Sequence, residues 1–123
     1  MFFIIEGSQL LIANGSYQLG EMLRASPGNV ELLSASARIL SRQVDAKSRG
    51  LALRTWRTVE QRSVSRSPLW WEAKEAIIRL LVESEEPQQR QEAKAMLEML
   101  LILNPELDGP ERKLRLETII GND

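Results

Sequence analysis

Few side chains in this sequence of 123 residues are equipped for chemistry. It contains no cysteine and no histidine. Disulfides, thiolate metal sites, iron–sulfur clusters and thiol nucleophiles are thereby excluded. So are histidine ligands, serine–histidine pairs and the usual general base near neutral pH. Carboxylates, Lys, Arg and the phenol of Tyr17 remain. Glu72 and Glu75 stand beside Trp71 as an apparent acid pair, but they point at different angles on one helix and nothing near them suggests sugar chemistry. Glu83, Glu85 and Glu86 read as a polar helix end, because no loop offers the oxygen ligands a divalent cation needs. Gly15, Gly20, Gly28 and Gly50 fit neither GxGxxG nor GxxxxGK, so no phosphate loop is present. No set of residues combines nucleophile, base and stabiliser. The expectation is a protein that is not an enzyme and uses no cofactor and no metal.

Binding chemistry is better supplied. Trp70-Trp71 is the most conspicuous pair. Either both rings pack between helices, or one of them, Trp71 ahead of Trp70, lines a groove beside Lys74 and Ile78, an aromatic and cationic combination suited to anchoring a peptide. Arg38 and Arg42 are candidate charged neighbours of that groove. Residues 38–66 hold eight bases and two acids, a local net charge of +6 within a chain whose total is -1. This block reads as a solvated face, as a partner for the acidic C-terminal third, or as a polyanion or nucleic-acid site whose binding fades with salt.

The elements that must position these groups are helical throughout. Helices are expected at about 2–13 and 16–25, separated by Asn14-Gly15, and then at 30–43, where Asn29 is a good N-cap. Asp45 caps a helix at 46–62 whose apolar face is Ala52, Leu53, Trp56 and Val59, with Lys47, Arg54, Arg57 and Arg62 falling away from it. Trp56 is expected in the core. Ser67-Pro68 is the clearest start, an N-cap followed by proline at the first helical position. That helix, 68–84, has two apolar stripes. One is Leu69, Ala73, Ala76, Ile77 and Leu80; the other is Trp71, Ile78 and Val82. Such a helix packs on two neighbours, or packs on one and binds with the other side. Helices at 87–103 and 110–120 follow, with Ala93, Met96, Leu97, Leu100 and Leu101 turned inward in the former and Leu116, Ile119 and Ile120 on one side of the latter.

The breaks recur: Ser26-Pro27, Ser67-Pro68 and Asn104-Pro105 place prolines 27, 68 and 105 at intervals of 41 and 37 residues. Helix pairs repeating on this scale signal a solenoid, because one hairpin cannot cover its own apolar face. Asn14-Gly15-Ser16-Tyr17 followed by Gly20 resembles the hairpin turn of the tetratricopeptide repeat family. Ala93, Leu97, Leu100 and Pro105 resemble its second helix and closing proline, and Ile77, Leu80 and Leu81 fall where its first helix packs. Gly50 would be the small residue of the middle unit. The resemblance covers most of residues 2–105, in a degenerate, elongated form with periods above the family's ~34 residues.

That resemblance implies an all-α, right-handed superhelix of stacked antiparallel helix pairs. There would be six helices (pairs 2–25, 30–62 and 68–103) and a capping helix at 110–120, in a single domain spanning 1–123. It also implies a non-catalytic scaffold that takes a peptide or partner protein in a concave groove. The apolar start, Met1-Phe2-Phe3-Ile4-Ile5, lacks a basic leader and is broken by Glu6, so no signal peptide is expected. No stretch has the ~20 apolar residues of a membrane span, and a cytoplasmic location is expected. The uncapped first helix suggests a piece of a longer array, or pairing with a second copy.

Overall fold

Side-chain caps and prolines set the helix ends. The computed structural model describes Ala25 and residues 28–121, and within these it is all-helical. The helices expected at 2–13 and 16–25, the Asn14–Gly20 turn and the Ser26-Pro27 break lie outside the described residues. Helix α1 is Val30–Ser41, opened by Asn29, whose Oδ1 accepts the Leu32 N–H at 3.0 Å. Helix α2 is Ala46–Arg62, opened by Asp45, whose Oδ2 accepts the Ser48 N–H at 2.9 Å. That bond holds the Asp45 carboxyl below its usual range. Helix α3 is Pro68–Val82, behind the Ser67 cap; α4 is Pro87–Leu103, and α5 is Pro110–Gly121. No described helix is long and apolar enough to cross a membrane.

The chain divides into two compact units, Met1–Ser63 and Val64–Asp123. In the N-terminal unit, α1 and α2 form a hairpin across the turn at 42–45. Ala37, Ala52 and Val59 have no exposed surface, and Trp56 is 2% exposed. The Trp56 Nε1–H donates to Ser41 Oγ at 3.0 Å, satisfying the indole's one polar atom. Gly50 does not serve as a small packing residue. It is exposed, with no atom of another element within 4 Å of where a Cβ would sit, whereas Ala37 and Ala52 are the small residues that are buried.

In the C-terminal unit, α3 packs on both α4 and α5, and α4 touches α5. Residues of both stripes of α3 are buried: Ala73, Ile77 and Leu80 from one, Trp71 and Ile78 from the other, with Leu81 also buried. The connection from α4 to α5 is unusual. Leu107 and Asp108 adopt left-handed backbone at φ 49° and 65°, ahead of Gly109 at φ 119°. Left-handed geometry costs a non-glycine residue roughly 1–2 kcal/mol. Full burial of the Leu107 side chain offsets that cost and fixes where α5 begins.

Candidate binding cleft

The C-terminal unit holds a cleft of about 270 Å³ lined by Ser65, Arg66, Trp70, Lys74, Met96, Met99, Leu100, Leu103 and Asn104. Its first wall is built by the start of α3. The Ser67 N–H donates to the Val64 carbonyl at 2.9 Å, closing a turn that holds Arg66 at φ 68° and sets Ser65 and Arg66 at the cleft. Ser67 Oγ then accepts the Trp70 N–H at 3.4 Å, which fixes Trp70 in the first turn. The Trp70 ring meets Trp71 edge-on, with centroids 4.8 Å apart and planes at 87°. Trp71 is 4% exposed, so the partly exposed Trp70 leans on a ring anchored in the core. One turn later Lys74 brings its Nζ within 5.2 Å of the Trp70 centroid, inside cation–π range.

The opposite wall comes from α4. Met96, Met99, Leu100 and Leu103 follow the spacing i, i+3, i+4 and i+7, which keeps them on one helical face. Leu100 is buried, whereas Met99 and Leu103 are 55% and 62% exposed. Asn104 ends the helix, its N–H bonded to the Leu100 carbonyl at 2.7 Å. The enclosed volume takes one or two side chains and falls short of the ~300–1,000 Å³ of small-molecule sites.

Lys74 is the one expected groove residue that lines this cleft. Trp71 and Ile78 are 4% and 0% exposed, so the structure corrects the expectation that they form an open wall. They share a face of α3 with Glu75, which α5 binds through Arg112 and Arg115. Arg38 and Arg42 belong to α1 and its C-cap, and neither lines the cleft. Trp70, the less favoured of the tryptophan pair, is the one at the cleft, and the residues the sequence reading missed are Met96 as a cleft wall, Met99 and Leu103. A usable signal was present: Met99, Ile102 and Leu103 widen the apolar arc of α4 beyond what an inward face requires.

Glu75 is the second feature, and it is structural. Its Oε1 accepts Arg112 Nε at 2.7 Å and Arg115 Nη2 at 3.1 Å; its Oε2 accepts Arg115 Nε at 2.8 Å and Arg79 Nη2 at 3.1 Å. Arg112 also reaches Asp108 Oδ2 at 2.6 Å, tying the left-handed turn into the same cluster. Burial is the largest single influence on this carboxyl and pushes it up. Hydrogen bonds from Arg115 and Arg112, together with their charges, outweigh burial and hold it at about 2, below the ordinary 4.5. Such a group carries no proton near neutral pH and cannot act as a general acid. Among the described residues, no group of three or more acidic side chains gathers in a way that could hold a metal ion.

No family model matches this chain, and neither a curated protein nor a solved structure matches it. The functional reading therefore rests on the cleft and its chemistry.

Proposed function

We propose that the chain is a non-catalytic interaction module and that its C-terminal cleft takes an apolar side chain of a peptide or partner protein. One observation carries this reading. The partly exposed Trp70 stands over a floor of Met96, Met99, Leu100 and Leu103 with Lys74 above it, while the other tryptophans are in the core. Aromatic rings in partly closed pockets anchor partners, and methionines adapt to the shape of what they meet. Lys74 and Arg66 favour a segment that places Asp or Glu beside its apolar anchor. In the same proposal the chain is a tetratricopeptide-like repeat protein, with α1–α2 and α3–α4 as repeat units of a right-handed superhelix and α5 as its cap. Two helical hairpins closed by proline and a helix lying on the last pair support that reading.

The test is to pan a phage-displayed peptide library on the full chain. The expected sequences pair Leu or an aromatic residue with Asp or Glu. Trp70→Ala should weaken the selected peptides at least tenfold with helicity unchanged by circular dichroism, and Lys74→Glu should weaken the acidic ones selectively. Failure to enrich any peptide, or enrichment indifferent to Trp70→Ala, rejects the cleft as the site.

A further inference from the structure

We propose that the exposed face of α2 is a second site, distinct from the cleft, which binds the phosphate backbone of a nucleic-acid duplex. Helix α2 carries five bases, Lys47, Arg49, Arg54, Arg57 and Arg62, against one acid, Glu60. Ala52, Trp56 and Val59 turn one face into the core. Lys47, Arg54 and Arg62 are exposed. At 100° per residue, Lys47 and Arg54 lie within about 20° of each other and Arg62 within about 80° of Arg54, all turned away from Trp56. The row runs about 22 Å along the helix axis. Asp45, the acid nearest its start, turns its carboxylate back to the Ser48 N–H. Arg49 and Arg57 are half-buried, and Arg49 donates to the Gln43 carbonyl at 3.3 Å, so neither is needed for the row.

The chemistry of this face selects its ligand. A peptide needs anchors, and the one large apolar side chain strongly exposed among the described residues of this unit is Val44, in the turn before the helix. A single strand is held by stacking its bases on aromatic rings, and the one aromatic residue among the described residues of this unit is Trp56, 2% exposed. The exposed charged groups of the helix are all cationic, two of them guanidiniums able to grip phosphate in two-point fashion. A duplex, with one charge per ~1.7 Å of axis, is the polyanion dense enough to engage such a row without stacking or apolar contact.

Fluorescence anisotropy of the full chain with labelled 20-base-pair DNA and RNA duplexes of mixed sequence tests this. Binding is expected at 50 mM salt, weakening about 40-fold by 200 mM if three phosphates are neutralised. DNA and RNA duplexes should bind within a few-fold of each other, and the matching single strand more weakly. The variant Lys47→Glu/Arg54→Glu/Arg62→Glu should lose at least tenfold in affinity with its circular dichroism unchanged. Trp70→Ala should bind duplex as the parent chain does, which separates this site from the cleft. No binding at 50 mM salt, a triple variant that binds normally, or displacement by polyglutamate as effective per charge as by duplex would each overturn the proposal. The last outcome would assign the face to acidic protein surfaces instead.

Discussion

The two units make similar helical hairpins and finish their surfaces in opposite ways. The N-terminal unit holds eight bases and five acids over residues 1–63; the C-terminal unit holds eight bases and twelve acids over 64–123. In the described part of the former, the one indole is buried and its Nε1–H is satisfied. In the latter, one of two indoles is left part-open over methionines, and a buried carboxylate gathers three guanidiniums. Helical pairing alone therefore does not decide what a surface offers. The choice between a bare charged row and an apolar cleft comes from a few positions on the outward arcs.

Three substitutions test that contrast, taken from the largest effect down. Trp56→Ala should cost the N-terminal unit about 3–5 kcal/mol, as truncation of a buried aromatic does. Amide exchange should quicken through α1 and α2 while α3 to α5 keep their protection. Equal quickening in all five helices would mean that the two units unfold as one block.

Glu75→Ala comes next, and it acts on the C-terminal unit. A fall from 4.5 to about 2 corresponds to roughly 3 kcal/mol. About 2 kcal/mol is expected, because Arg79 and Arg115 are 45% and 46% exposed and solvent screens them. The sign follows from the depressed value: this stability is fully present above about pH 4.5 and is lost as pH falls through about 2. Acid titration followed by exchange in α5 should show that loss in the parent chain and not in Glu75→Ala. A variant that keeps the parent's acid profile would remove Glu75 as the tie between α3 and α5.

The smallest effect has the opposite sign. Gly50→Ala fills open space within α2 and should raise the stability of the N-terminal unit by about 0.5–1 kcal/mol. A loss in chemical denaturation would show that Gly50 has a role its surroundings do not reveal.

How much of this was legible beforehand depends on how far apart in sequence the cause lies. Local causes read well. Asn29, Asp45 and Ser67 cap their helices as their side chains dictate, and Pro87 and Pro110 stand at helix starts. Trp56 was readable as core because its helix has one narrow apolar face. Trp71 was left between core and groove because α3 has two stripes, and periodicity cannot say whether the second meets a ligand or a neighbouring helix. Adjacent Trp70, turned 100° away, is the partly exposed one. Arg112 and Arg115 meet Glu75 across 37 and 40 residues of sequence, and no pattern along the chain announces such a meeting. Leu107 was equally hidden, since a lone leucine in a polar loop carries no period.

The floor of the cleft has one further implication. Met96 and Met99 are thioethers, and Met99 is more than half open to solvent. Peroxide converts thioethers to polar, chiral sulfoxides. Oxidant exposure would therefore roughen the proposed docking cleft of the C-terminal unit and leave the basic row untouched, since the described residues of its unit contain no methionine. Purification under reducing, peroxide-free conditions thus becomes a prerequisite for any affinity measured at the cleft.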